Sequence, residues 1–310
     1  MTATATDASG VVGVQYKVDG VNWGIEVLSP PYSIPWDTTT ATDGTHTITA
    51  TARDRYNNRQ TSGPVVVTVS NGTVNSDPYY LSFDGVDDYV EVADSDSLSF
   101  GNGATDSPLT IELWFRPSSM TARQNLIGKW RGSASVQEYK LYIAPGTIRL
   151  DLMDSARQVQ MSARSNTDLG ALAGGWHHLA VTYDGRGGPS AADGITIYVD
   201  GVAVPMFRVN NASYVAMSNT SAIVQIGRES AQWNQYSGGL DELRLWNVAR
   251  TPAQIQASMS SELVGTEAGM RTYWRLNEGG GAVIEDNSPS GNVGTLRNGP
   301  IWSYGGGFVP

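Results

Sequence analysis

The sequence contains no cysteine, and this absence excludes several kinds of chemistry. Disulfide bonds, thiolate nucleophiles and zinc sites with cysteine ligands all require the missing thiol. Histidine is scarce too, with 3 in 310 residues, although Trp176-His177-His178 places two of them side by side. Successive residues of a strand point to opposite faces, so these two imidazoles cannot easily share one metal ion. We therefore interpret this segment as structural, with Trp176 in the core.

Positive charge is also sparse, because 20 basic residues stand against 30 acidic ones and give a net charge of −10. No run of Lys or Arg is present, and without a basic footprint a nucleic-acid partner is not expected. No apolar run approaches the roughly 18 residues that span a bilayer, so membrane insertion is not expected either. Met1 is not followed by a basic and then apolar signal segment. The protein either stays inside the cell or is a piece of a longer secreted chain.

What the chain does contain indicates β-structure. With 35 glycines, 40% hydrophobic residues and 16% charged residues, its composition is typical of a globular all-β protein with many turns. The length predicts two domains. Thr251, Pro252 and Gln254 have the pattern of a helix start, which predicts one short helix through about Met259. Apolar residues alternate as they do on strands in two clear cases, namely Ile111, Leu113 and Phe115, and Ile195, Ile197 and Val199.

Residues 1–72 form the first predicted domain, a set of strands along which apolar residues alternate with other residues. The phrases at residues 16–20, 31–37 and 44–54 resemble the bacterial immunoglobulin-like repeats of surface proteins and multimodular polysaccharidases. Such repeats usually begin with a further strand and a Pro-containing turn, which this sequence lacks. The first explanation is that the chain is a fragment, and this favours a secreted parent protein. The alternative is that a strand from a neighbouring molecule fills the gap.

A polar linker at residues 73–78 leads into the second predicted domain, residues 79–310. Five phrases that each read as a strand and a turn lie at residues 81–85, 176–181, 198–201, 239–244 and 273–276. In this order they resemble a laminin-G-like module of the concanavalin A-like jelly-roll superfamily. The resemblance implies an all-β chain in which an N-terminal immunoglobulin-like β-sandwich precedes a concanavalin A-like jelly-roll β-sandwich. Such a fold hosts many functions, so the ligand must be argued from individual residues.

The resemblance also implies a structural calcium ion. In the resembling fold, the segments that correspond to Phe83-Asp84-Gly85 and Leu240-Asp241-Glu242 approach each other, and calcium commonly links the ends of the jelly roll there. Calcium takes six to eight oxygen ligands, and we expect Asp84 and Asp241 to supply two of them. Asp87 and Asp88 are further possible ligands. The alternative is that Asp84 and Asp241 only cap turns and pair with arginines.

Catalysis is not expected. The superfamily includes glycoside hydrolases that carry paired carboxylates on one strand, with Glu, then Asp two residues later, then a second Glu. At that spacing Glu91 is followed by Ala93, and Glu112 is followed by Trp114. The sequence also has no Gly-x-Ser-x-Gly elbow and no His-Glu-x-x-His segment.

The remaining class is binding, and sugars are bound by aromatic rings with polar groups beside them. Trp233 and Tyr236 are the first candidates, since the surrounding Gln, Asn and Ser predict a wet loop. Arg228 and Trp130 are further candidates, as is Tyr142, which lies on a strand and could face the concave surface. The alternative is that these rings only fill the two sandwiches.

The sequence thus predicts a non-catalytic, extracellular, bacterial-type module that binds a polysaccharide or glycoconjugate and holds structural calcium. The alternative is a structural or adhesive surface protein or fibre subunit. In that case its modules would assemble with other copies of the chain or with neighbouring modules, for example by strand donation to the incomplete first domain.

Overall fold

The computed structural model describes residues 1–38, 41, 44–69, 79–130, 136–229 and 234–304. The chain divides into two compact units, Met1–Thr73 and Val74–Pro310. The predicted linker at 73–78 lies outside the described residues.

The first unit is a small β-structure. Its strands are β1 (Thr2–Ala3), β2 (Val11–Val18), β3 (Val21–Val27), β4 (Tyr32–Ser33), β5 (Gly44–Asp54), β6 (Arg59–Thr61) and β7 (Val65–Val69). The main sheet has the order β3-β2-β5-β6, with β7 also on β5, while β1 pairs only with β4. Val14, Tyr16 and Tyr32 are its buried hydrophobic centre. The Tyr16 hydroxyl donates to the Tyr32 carbonyl at 2.6 Å and ties the main sheet to β4.

The second layer of this unit is short, since β1 and β4 pair through only Thr2 with Ser33 and Ala3 with Tyr32. A groove of about 440 Å³ lies between residues 3–6 on one side and residues 60–62 on the other. Val14, Ala50 and Ala52 line its floor. Binding of a strand from another chain in this groove stays a prediction.

The second unit is larger and nearly all β. Its strands are β8 (Tyr79–Asp84), β9 (Tyr89–Val92), β10 (Leu109–Pro117), β11 (Gln124–Trp130), β12 (Gln137–Ala144), β13 (Thr147–Asp154), β14 (Val159–Ser165), β15 (His177–Tyr183), β16 (Ile195–Val199), β17 (Val202–Ala203), β18 (Met206–Val209), β19 (Val224–Ile226), β20 (Ser237–Trp246), β21 (Met270–Trp274), β22 (Val283–Ile284), β23 (Gly294–Arg297) and β24 (Ile301–Tyr304). The helix α1 spans Pro252–Ser258, short 3₁₀ turns lie at Asp96–Leu98 and Gly170–Leu172, and a longer 3₁₀ segment with a kink at Ser190 spans Gly188–Gly194. Among the described residues, no helix is long and apolar enough to cross a membrane.

The strands of this unit form two antiparallel sheets. Sheet A has the order β17-β16-β15-β10-β20-β8-β24, with β21 also on β20. Sheet B has the order β18-β14-β13-β12-β11-β19-β9-β23-β22. Alternate residues of both sheets enter one hydrophobic core, including Leu113 and Leu179 from sheet A and Leu141 and Leu150 from sheet B. The predicted fold class, an all-β chain of two sandwich-type modules, is confirmed.

The two adjacent histidines have different surroundings, as expected for successive residues of a strand. The His177 ring lies 2.8 Å from the Asp200 carboxylate, whereas His178 is buried with its ring centroid 5.6 Å from that of Trp114. Trp176, which we expected in the core, is only half-buried and packs edge-to-face on Tyr80 with ring centroids 5.1 Å apart.

The short helix begins with the predicted capping box. The Thr251 side chain accepts from the Gln254 backbone N–H, and the Gln254 side chain accepts from the Thr251 backbone N–H. The last carbonyls of a helix have no partner within the helix. Here Arg244 donates to the Ser258 carbonyl at 3.0 Å, and Arg250 donates to the Gln254 carbonyl, further back in the helix, at 2.8 Å. The helix thereby covers a buried group of charges that includes Glu112, which accepts from Arg250 at 2.7 Å.

His178 lies near these charges and is 1% exposed. Burial lowers the pKa of His178 to about 3, and the positive charges of Arg244 and Arg250 act in the same direction. Its ordinary value is about 6.5, so between these two values the unfolded chain binds a proton that the folded chain does not.

We expect this histidine to make the second unit less stable as the pH falls below about 6.5. The free energy of unfolding should fall by about 2 kcal/mol between pH 7 and pH 5 through this group alone. His178→Gln should remove that part of the pH dependence, as measured by urea unfolding at both pH values. The matched control is His177→Gln, and an equal change in pH dependence for both variants would contradict the assignment.

Candidate functional site

Sheet B carries a band of polar side chains on the face opposite the core. Directly opposed residues of antiparallel strands share a face, and one register row runs across Glu91, Gln225, Gly128, Lys140, Asp151 and Ser162. A second row runs across Asn125, Tyr142, Arg149 and Arg164. We call the side chains of these two rows the polar face. The residues between them in sequence, such as Leu141 and Leu150, lie in the core.

Lys140 is at the centre of this face and is 4% exposed. Its Nζ lies 2.6 Å from Glu229 Oε1 and 3.8 Å from Asp151 Oδ2. The same ammonium group lies 3.9 Å from the ring centroid of Trp130, within cation–π range. Burial lowers the pKa of Lys140, although Glu229 and Asp151 partly offset this effect. Lys140 thus joins two carboxylates and one aromatic ring.

Tyr142 is surrounded by cations and is 3% exposed. The Arg123 guanidinium lies 4.3 Å from its ring centroid and that of Arg149 lies 5.8 Å away. Its hydroxyl donates to Asp151 Oδ2 at 3.2 Å, and Arg149 Nε donates to Asp151 Oδ1 at 2.6 Å. Burial raises the pKa of Asp151, against the opposing effects of Arg149 and Lys140. Asp151 therefore accepts hydrogen bonds from two side chains and also forms the ion pair with Lys140.

Asp151 and Glu229 are two carboxylates of this face that both contact Lys140. Burial raises the pKa of Glu229, but the hydrogen bond and charge of Lys140 outweigh burial and hold it below its ordinary value. Glycoside hydrolases leave the space between their two carboxyl groups open to the scissile bond. Here that space contains the ammonium group of Lys140. The arrangement is an ion-pair network, and the expected absence of catalysis stays a prediction.

Three of the predicted ligand-binding residues lie on or beside the polar face. Tyr142 belongs to it, and Trp130 ends β11 with its ring covered by Lys140. Arg228 lies over the Tyr89 ring, 3.1 Å from its centroid. With the Gln225 amide turned so that its oxygen faces Arg228, that oxygen accepts from Nε and Nη2 at 3.0 Å.

The expectation that the aromatic candidates are exposed is wrong for Trp130 and Tyr236. Trp130 is 6% exposed, so it is not a loop residue available for stacking. Tyr236 is fully buried, because its ring enters the core beside Phe83 and its hydroxyl donates to the Gly239 carbonyl at 3.0 Å. Trp233, the other first candidate, lies outside the described residues.

The expected approach of Asp84 and Asp241 is also wrong. Asp84 is exposed at the end of β8 and lies opposite Ser237 on β20. Asp241 is four residues further along β20, about 13 Å away at about 3.3 Å per strand residue. It is fully buried, and its Oδ1 accepts from the Glu242 backbone N–H. The two carboxylates therefore cannot bind one ion.

The structure instead groups Asp84 with Asp87 and Asp88, the further ligands considered from the sequence. One oxygen of each carboxylate lies within 4.8 Å of the others. Asp88 Oδ2 accepts from the Asp84 backbone N–H at 3.0 Å. Burial raises the pKa of Asp88, and the charges of Asp84 and Asp87 raise it further. Three mutually repelling oxygen donors fit a hard cation such as calcium.

Sequence reasoning missed Lys140, Asp151, Arg149 and Glu229 as members of one site. A usable signal was present in the segments of β12 and β13, where charged residues alternate with apolar ones on both sides of Pro145-Gly146. Such alternation around a turn predicts a hairpin with one polar face. The partnership with Glu229 joins residues 89 positions apart and has no local signal.

We expect Lys140→Met to lower the free energy of unfolding of the second unit by about 3–5 kcal/mol, because it leaves the buried Asp151 and the partly buried Glu229 without their shared cation. Urea unfolding at pH 7 measures this loss. The control is Arg186→Met, which removes the exposed pair with Asp184 and should change stability by about 1 kcal/mol or less. Equal losses for both variants would contradict a buried network.

Comparison with known proteins gives two family matches. Residues 83–256 match the model of the concanavalin A-like lectin/glucanases superfamily, and residues 1–50 match a bacterial Ig domain. No curated protein matches the chain significantly.

The solved structures found by comparison include three from bacteria. A Bacteroides ovatus protein described as a candidate carbohydrate-binding protein is 18% identical, with a TM-score of 0.56 over 98% of this chain and 82% of that chain. The CBM40 module of the Ruminococcus gnavus IT-sialidase, bound to α2,3-sialyllactose, is 14% identical, with a TM-score of 0.38 over 50% and 83%. Domain 4 of the extracellular arabinanase AbnA from Geobacillus stearothermophilus, in complex with arabinotriose, is 21% identical, with a TM-score of 0.40 over 57% and 74%. Because the first family model matches more than half of the residues of this chain, the chain belongs to the concanavalin A-like lectin/glucanases superfamily.

Proposed function

We propose that this protein is a non-catalytic module that binds a polysaccharide or glycoconjugate on the polar face of sheet B. The observation that carries the proposal is the pair of register rows, in which polar side chains lie on neighbouring strands and Glu91, Arg149 and Arg164 are partly exposed. Strands lie about 4.8 Å apart, so the rows form an extended array of hydrogen-bonding groups. An extended chain rich in hydroxyl groups is a suitable ligand for such an array.

The polar face is also held in a fixed arrangement before any ligand binds. Lys140, Asp151 and Tyr142 are each at most 4% exposed and restrain one another through hydrogen bonds and charge. Groups that are already ordered lose little conformational entropy on binding. Since the rings of Trp130 and Tyr142 are covered, recognition rests on hydrogen bonds from the more exposed side chains around them.

Two comparisons support an extracellular carbohydrate-binding role. The Bacteroides ovatus protein, which shares this fold over nearly the whole chain, is described as a candidate carbohydrate-binding protein. The bacterial Ig match at residues 1–50 favours a secreted or surface protein. The alternative of a structural or adhesive fibre subunit stays a prediction.

We expect the protein to be retained by at least one glycan of a polysaccharide affinity-gel and glycan-array panel in the presence of calcium. Arg228→Ala should weaken the best interaction at least tenfold, since a charged hydrogen-bond donor contributes about 1.5–3 kcal/mol. The control is Arg271→Ala, at an exposed site on β21 of sheet A. Absence of retention by every glycan, or release of reducing ends by the native protein, would contradict the proposal.

We also propose that a structural calcium ion is held by Asp84, Asp87 and Asp88. The ion would neutralise three carboxylates that repel one another and would fix the turn between β8 and β9. The raised pKa of Asp88 and the short distances between the carboxylate oxygens support this assignment.

We expect 1 mM calcium to raise the thermal midpoint of the second unit by several degrees relative to EDTA, because an ion that binds only the folded state stabilises it. Asp88→Asn should reduce this calcium-dependent shift by at least half, as measured by differential scanning calorimetry. Asp193→Asn, at an exposed carboxylate outside the cluster, should keep the full shift. A native protein without a shift, or an unchanged shift in Asp88→Asn, would contradict the site.

A further inference from the structure

Two arginines of the polar face lie directly opposite each other. Arg149 on β13 and Arg164 on β14 are register partners, so their side chains leave the same face of sheet B. Like charges in this position destabilise an antiparallel pair. Both side chains are partly exposed, and that of Arg149 is 30% exposed.

The protein neutralises this pair incompletely. Asp151 accepts from Arg149 Nε, but it also receives the Tyr142 hydroxyl and lies 3.8 Å from Lys140 Nζ. Within the described parts of the chain, Arg164 has no carboxylate within ion-pair distance. Its guanidinium packs 4.8 Å from the centroid of the Phe207 ring, and its Nη1 donates to the Ser165 carbonyl at 3.3 Å. The remaining N–H groups of both guanidiniums can therefore donate to a further anionic partner.

The charge around the pair differs in sign from that of the whole chain. The basic side chains around the pair are Arg123, Lys140, Arg149 and Arg164, and the acidic ones are Asp151 and Glu229. Their sum is positive on a chain of net charge −10. At physiological ionic strength charges beyond about 8 Å are largely screened, so this local excess decides what binds here.

Arg123 and Arg149 are also more exposed than the acidic side chains of this region. The side chains of Asp151 and Glu229 are 1% and 15% exposed, whereas that of Arg123 is 41% exposed. A ligand that approaches the face therefore meets guanidinium groups first.

We propose that the ligand of this face is an anionic glycan, whose carboxylate or sulfate groups bind between Arg149 and Arg164 with Arg123 beside them. The proposal rests on the function proposed above and names its ligand class. A guanidinium presents two parallel N–H donors that match a carboxylate or sulfate. A bound anion also relieves the repulsion between the two arginines, whereas a neutral sugar leaves it in place.

The test uses a glycan array with uronate-bearing, sialate-bearing, sulfated and neutral members, together with single-stranded DNA as a second polyanion. The acidic glycan that binds best is then compared by isothermal titration calorimetry with its carboxyl-reduced or desulfated form. We expect the acidic form to bind at least tenfold more tightly and its affinity to fall as NaCl rises from 50 to 500 mM. The arms of the array identify whether carboxylate or sulfate is the group recognised.

Matched variants locate the binding. Arg164→Gln and Arg149→Gln should each lower the affinity for the acidic glycan at least tenfold, whereas Arg271→Gln on sheet A should not change this affinity. Because Arg164→Gln removes a like-charge contact, its thermal midpoint should not fall. This readout separates recognition from a structural role.

Each other outcome overturns the proposal in a distinguishable way. Preferred binding of a neutral glycan leaves the proposed function intact and overturns the anionic ligand. If the acidic glycan binds but Arg149→Gln and Arg164→Gln do not change its affinity, the proposed binding position between these arginines is wrong. DNA that binds as tightly as the best glycan overturns the ligand class, and a protein that binds no glycan overturns the proposed function itself.

Discussion

The polar face depends on one buried ammonium group. Lys140 contacts Glu229 and Asp151 and is 4% exposed. Burial disfavours its charge, and the two carboxylates favour it. Each of these acids in turn contacts an arginine, so Lys140 is linked through them to Arg123 and Arg149. A single cation thereby joins β12, β13 and the segment after β19.

The core of the second unit constrains the same face from behind. Leu141, Ile143, Leu150 and Leu152 are completely buried between the sheets, and a slip of one residue in β12 or β13 would turn all of them outward. The register that buries these side chains is the register that aligns Tyr142 with Arg149. The alignment of the polar rows is thus a consequence of hydrophobic packing on the other side of the sheet.

The sequence predicted what depends on local periodicity and on family resemblance. The alternation at Ile111, Leu113 and Phe115 and the capping box at Thr251 are local patterns, and the structure confirms both. Tyr236 was placed wrongly because polar neighbours in sequence do not report the side on which a ring leaves the chain. Asp84 and Asp241 were paired from resemblance, but the register of β8 and β20 separates them. Contacts such as that of Lys140 with Glu229 arise only when distant strands come together.

The inward and outward side chains of sheet B form two sets of residues with different roles. The inward set keeps the fold, and much of the outward set can change without opening a cavity. Arg164 belongs to the outward set, is partly exposed and lies on β14, opposite Arg149. It is therefore a position at which a library of variants could redirect this module toward other glycans while the sandwich stays intact.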